Sequence, residues 1–196
     1  MAKRKQGIYP DLDAVQQEMY RTKSQSKYHQ ALKSTLGTIV VVVAVAVLVA
    51  SIFLPVLQVT GTSMQPSFMP GNILVAYKNA EYKPGDVCAF YYNNKLVIKR
   101  VIAHGGDLVE IDEDGRVYVN DLMLEEPYVQ AYSLGQCDLE FPFEVPANQM
   151  FVLGDNRDAS VDSRASAFGC ITTEEIVGKI VLRVWPANNF EYYGIN

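Results

Sequence analysis

Between Lys33 and Lys78 the chain carries no charged residue, and the first part of that interval is almost continuously apolar. As a helix, Leu36 to Leu57 would extend about 33 Å, enough for a bilayer hydrocarbon core of about 30 Å. A buried core helix is rarely apolar on every face over such a length, and a cleaved leader has a shorter apolar region behind a shorter charged stretch. The pattern therefore predicts a retained transmembrane helix over residues 34–57, with Pro55 ending or kinking it. Upstream, Tyr9-Pro10 breaks any early helix, and Asp13 to Lys33 reads as a juxtamembrane helix with too few apolar positions for a core. Downstream the period changes from helical to alternating. Strands are predicted at Ile73–Tyr77, Val87–Tyr92, Leu96–Ala103, Leu108–Ile111, Val117–Val119, Phe143–Val145, Met150–Leu153 and Ile180–Val184. Asn93-Asn94 and Asp114-Gly115 mark two hairpins. The expected fold class is mainly β: a folded-over antiparallel β-sheet domain over 58–196, behind one N-terminal transmembrane helix.

Charge orients the span. Residues 1–33 hold seven Lys/Arg against three acids, which leaves ten basic and nineteen acidic residues for the rest of a chain of net charge −5. The positive-inside tendency puts the basic segment in the cytoplasm, close to anionic lipid, and the acidic domain outside. It also removes nucleic acid from the expected partners. Cys88, Cys137 and Cys170 are odd in number and form no Cys-x-x-Cys or Cys/His cluster. They read as small apolar fillers rather than metal ligands, with one disulfide open on the outer side.

Three segments carry chemistry. Ser63 stands in Gly61-Thr62-Ser63-Met64-Gln65-Pro66-Ser67, where a lone serine is ordinarily a turn residue. Lys99 stands in Val97-Ile98-Lys99-Arg100-Val101-Ile102. As a strand, this puts Val97, Lys99 and Val101 on one face and Ile98, Arg100 and Ile102 on the other. A lysine between valines is a candidate for desolvation, although an edge-strand lysine snorkelling to water is the commoner outcome. The third segment is Gly154-Asp155-Asn156-Arg157-Asp158-Ala159-Ser160-Val161-Asp162-Ser163-Arg164. Its acids lack the alternate spacing and terminal glutamate of a calcium loop. Of two histidines, His29 lies in the polar N-terminal segment, and His104 sits in a turn where nothing marks it as a base.

Together, in this order and behind a membrane span, the three segments resemble type I signal peptidase in its Gram-positive form. The resemblance runs from about Leu57 to Pro186. It implies a serine–lysine endopeptidase that removes signal peptides from exported preproteins after an Ala-x-Ala-like site, anchored once in the cell membrane, with no metal or organic cofactor. Ser63 matches the nucleophile and Lys99 the general base. Where some members place a serine hydroxyl two residues before the nucleophile, this chain has Gly61, which leaves backbone N–H groups, that of Ser63 first, for the oxyanion. Ser160 would orient the lysine amine, Asp162 and Arg164 would brace the loop as an ion pair, and Asp155 would support it. Leu57, Val59, Phe68, Leu74, Val97 and Ile98 are the apolar positions expected to line substrate pockets. His104-Gly105 departs from the usual run before Gly106-Asp107. Six extended residues span at most about 20–22 Å, so Ser63 is expected near the outer membrane surface. A serine–lysine self-cleaving repressor would need a DNA-binding element in place of the span. An inactive anchored β domain that binds exported peptides is the alternative from another class.

Overall fold

The computed structural model describes residues 12–194. The Tyr9-Pro10 breaker and the basic residues Lys3, Arg4 and Lys5 lie outside them. The chain divides into two compact units, residues 1–50 and 51–196. The helix α1 (Leu12–Phe53), which lies in the first unit up to Ala50, covers both the predicted juxtamembrane helix and most of the predicted span as one element. Its Ala31–Phe53 portion has 23 residues, mean hydropathy 2.9 and no buried residue. By length and composition, at about 34 Å, it is long enough to cross a bilayer.

The predicted end of that span at Leu57 is corrected. The helix stops at Phe53, and Leu57 lies in a strand. Pro55 disfavours helical backbone in the residue before it and cannot donate to the helix ladder. The carbonyls freed there find new donors: Phe53 accepts from the Lys78 N–H at 3.2 Å, and Pro55 from that of Ala76 at 2.9 Å.

The second unit holds two antiparallel sheets. The strands are β1 (Val56–Gln58), β2 (Ile73–Tyr77), β3 (Val87–Tyr92), β4 (Lys95–His104), β5 (Leu108–Ile111), β6 (Val117–Val119), β7 (Leu122–Met123), β8 (Phe143–Glu144), β9 (Gln149–Leu153), β10 (Ile171–Thr172), β11 (Ile176–Trp185) and β12 (Glu191–Tyr192). The larger sheet runs β1-β2-β11-β3-β4-β9-β10, with β12 also on β11, and the smaller runs β7-β6-β5-β8. The mainly antiparallel β class is as expected, and every predicted strand has its counterpart. β1, β7, β10 and β12 were not foreseen, since two or three residues are too few to show a period. Asn93 and Asn94 turn the β3–β4 hairpin with φ of 48° and 58°, the left-handed pair that a two-residue turn requires.

Alternation sorts the core. On β3, Val87 and Ala89 join a cluster with Leu57, Met64, Phe68 and Leu74. Cys88 and Phe90 face the other way, into a cluster with Val101 and Val152. A third cluster joins Ile102, Phe151 and Leu153 of the larger sheet to Val109, Ile111 and Val117 of the smaller one. All three cysteines are free, and Cys88 is buried.

Candidate active site

β4 carries Lys99 and Arg100 to opposite faces of the larger sheet. Lys99 lies across from Cys88 of β3, on the face shared with Val97 and Val101, and is only 2% exposed. β9 ends at Leu153, opposite Arg100, so Gly154 leaves the ladder level with Lys99. The loop that follows takes the place a further strand residue would hold.

That loop delivers Ser160. The Lys99 Nζ donates to Ser160 Oγ at 2.6 Å, and both groups are buried. Burial disfavours the ammonium and pushes the Lys99 pKa down to about 8; Asp162 opposes the shift, Arg164 adds to it and Asp155 opposes it. A much larger share of Lys99 is then neutral near pH 7 than of an ordinary lysine.

Each nearby carboxylate belongs to an arginine. Asp162 accepts from Arg164 through both oxygens, at 2.8 and 2.9 Å, and also takes the Gly154 N–H at 3.0 Å. Asp155 accepts from Arg100 through both oxygens, at 2.8 and 2.6 Å. The alternate guanidinium nitrogen of Arg164 reaches the Ser133 and Leu134 carbonyls, so the loop is tied to the chain between β7 and β8. Arg157 and Glu126 form a second buried ion pair that was not anticipated, and Arg157 Nε donates to the Gly154 carbonyl at 3.1 Å.

Ser63 follows β1 in a turn whose Met64 and Phe68 are anchored in the core. The Ser63 carbonyl accepts the Asn156 N–H at 3.0 Å, and the Asn156 side chain donates to the Thr62 carbonyl at 3.3 Å. Gly154 makes this docking close. A Cβ built there would lie 2.6 Å from both the Ser63 carbonyl oxygen and Ser160 Cβ, so only glycine lets the serine turn, the loop and the lysine's partner meet. By contrast, no atom lies within 4 Å of a Cβ built on Gly61. That glycine meets no steric demand of the fold and borders open space. Among the described residues, the Ser63 N–H donates no hydrogen bond within the protein.

A cleft of about 480 Å³ opens beside Ser63, walled by Gln58–Gly61 and Met64 on one side and Lys95–Ile98 on the other. Of the apolar positions expected in pockets, Val59, Val97 and Ile98 line it. Leu57, Phe68 and Leu74 do not; they are packed in the core cluster under β1 and β2. Glu126, Arg157 and Gly154 are the residues that sequence reasoning passed over. Arg157 and Gly154 stood in a segment already singled out, and Glu126 lies outside all three segments.

Residues 32–185 match the family described as signal peptidase, peptidase S26. Signal peptidase IB of Staphylococcus aureus (strain MRSA252) is 36% identical over 155 residues, covering 68% of this chain and 79% of that protein. Signal peptidase I of Bacillus caldolyticus is 35% identical over 150 residues, covering 68% and 81%. A crystal structure of a signal peptidase I from Enterococcus faecalis V583 aligns with a TM-score of 0.42 at 31% identity, over 50% of this chain and 95% of that one. With the family match running over most of its length, the chain belongs to the signal peptidase family of peptidases, peptidase S26.

Proposed function

We propose that this protein is a membrane-anchored serine–lysine endopeptidase that removes signal peptides from exported preproteins. Family membership supports the substrate class. The observation that carries the mechanism is a buried lysine whose amine is held by a hydroxyl, next to a serine turn docked on the same loop. Neutral Lys99 takes the proton of Ser63 Oγ as that oxygen attacks the scissile carbonyl. The resulting oxyanion is met by backbone N–H groups, with that of Ser63 first. The ammonium then returns its proton to the leaving amine. In the second half, Lys99 activates water to release the acyl group from Ser63.

Ser160 fixes the direction of the lysine amine. Asp162 with Arg164, and Asp155 with Arg100, hold the loop and keep their carboxylates occupied. The cleft takes the substrate as an extended strand between the Gln58–Gly61 segment and the start of β4. Open space beside Gly61 leaves the backbone free to approach the scissile bond, while Val59, Val97 and Ile98 limit the volume available. Small side chains are therefore favoured at the first and third positions before the cut, the Ala-x-Ala pattern. The Ala31–Phe53 helix is the membrane anchor, with the basic N-terminal segment cytoplasmic and the acidic catalytic domain outside.

Incubating detergent-solubilised protein with a preprotein bearing an Ala-x-Ala site tests this. Cleavage after that site should be lost in Ser63→Ala. A protein that binds the preprotein without cutting it would be the peptide-binding domain of the alternative class instead.

A further inference from the structure

Glu126 follows β7 and is outside every segment that carried the sequence-level chemistry, yet its side chain is fully buried in the loop's charge network. One of its oxygens, Oε1, accepts from two donors, Arg157 Nη2 and, at 3.0 Å, the Tyr128 hydroxyl. The other, Oε2, has no partner among the described residues. Each donor then grips a residue beside the dyad. Arg157 Nε holds the Gly154 carbonyl at 3.1 Å, and Gly154 is the close contact between the Ser63 turn and Ser160. The Tyr128 ring lies 3.8 Å under the guanidinium of Arg100, the residue after Lys99.

We propose that Glu126 is a positioning residue for the reaction: one carboxylate from the connection between β7 and β8 braces both halves of the dyad, through Arg157 to the serine side and through Tyr128 to the lysine side. The inference rests on the Ser63–Lys99 reading. A buried carboxylate with a vacant oxygen is a costly way to secure a loop that apolar packing could fill. It is suited to aiming two rigid donors in two directions at once. A small displacement of either Gly154 or Arg100 shifts the amine relative to the serine oxygen, and displacements of about 1 Å at such a distance cost catalysis up to about 100-fold.

The test uses the full-length protein in detergent, with cleavage of an Ala-x-Ala preprotein measured from pH 6 to 10 and rates corrected for the folded fraction. In Glu126→Ala, kcat should fall about 10- to 100-fold with KM within about twofold, and the pH midpoint of kcat/KM should move away from the wild-type value. Glu126→Gln keeps an acceptor oxygen and should recover part of the loss. Arg157→Ala added to Glu126→Ala should cost little more, because both remove one brace. Tyr128→Phe, which retains the ring under Arg100, should lose a few-fold in kcat, and it provides a reading if Glu126→Ala fails to fold. The brace is overturned by unchanged kcat in Glu126→Gln and Tyr128→Phe, by a loss confined to KM, or by losses at Glu126 and Arg157 that multiply. Ser63→Ala run alongside keeps the two questions apart. If it retains activity, the dyad itself fails; if it is dead while Glu126→Ala is unimpaired, only the brace fails.

Discussion

Two lysines lie on either side of Cys88 in the larger sheet, Lys99 of β4 and Lys179 of β11. They are equally hidden, at 2% and 3% exposure. Their partners differ. Lys179 Nζ is 2.9 Å from a carboxylate oxygen of Asp86, whereas Lys99 Nζ meets the hydroxyl of Ser160 at 2.6 Å. The carboxylates nearest Lys99 are each engaged by an arginine. Equal burial is thus met by a carboxylate at one site and by a hydroxyl at the other. A lysine loses its proton near neutral pH when it is desolvated and the compensating negative charge is kept elsewhere.

The two lysines differ most when the charge is held in place at one site and removed at the other. Lys99→Arg should lower kcat by several orders of magnitude, since a guanidinium stays protonated at any working pH. Lys179→Met should leave kcat within a few-fold. Preprotein turnover measures both, and near-normal cleavage by Lys99→Arg would remove the lysine base.

Next in size is the conversion of one environment into the other. Ser160→Asp gives Lys99 the kind of partner Lys179 has, and should raise its pKa by about 1–3 units. Activity at pH 7 should fall roughly 10- to 1000-fold and return in part as pH rises. Ser160→Ala should instead lower kcat at every pH without an upward shift of the profile. An identical profile for the two variants would show that the hydroxyl does not set the amine's environment.

Stability should diverge in opposite directions. Because the folded pKa of Lys99 lies below its ordinary 10.5, the folded protein binds fewer protons than the unfolded chain between pH 8 and 10.5. Stability therefore rises with pH across that window, and the cost of the buried amine is fully present below it. At pH 7, Lys99→Met should be more stable than wild type by up to about 3 kcal/mol, with the gain shrinking above pH 8. Lys179→Met, which leaves Asp86 with the Lys83 N–H but no cation, should lose about 1–3 kcal/mol. Thermal or denaturant unfolding at pH 7 and 10 reads both signs.

The alternation around Lys99 was legible in the chain, and so were the turn residues of the β3–β4 hairpin and the span of uncharged residues. Each of these is a local pattern. The apolar pattern at Leu57, Phe68 and Leu74 said that these residues are covered, and it could not say by what. They are covered by the core, while Val59, Val97 and Ile98 reach the cleft. Gly154 and Arg157 were visible as letters of the loop, but their work depends on the Ser63 turn, some ninety residues away in the chain, arriving within contact distance. Glu126 is harder still. Two adjacent acids before a proline look like a solvated turn, and only the fold shows that one of them is buried under two donors.

The protonation state in which Lys99 works is read from the pH dependence of kcat/KM for preprotein cleavage between pH 6 and 10. A neutral Lys99 acting as base predicts a tenfold rise per pH unit below about pH 8 and a plateau above it. A rate that is flat from pH 6 to 9, or an optimum on the acid side, would contradict it.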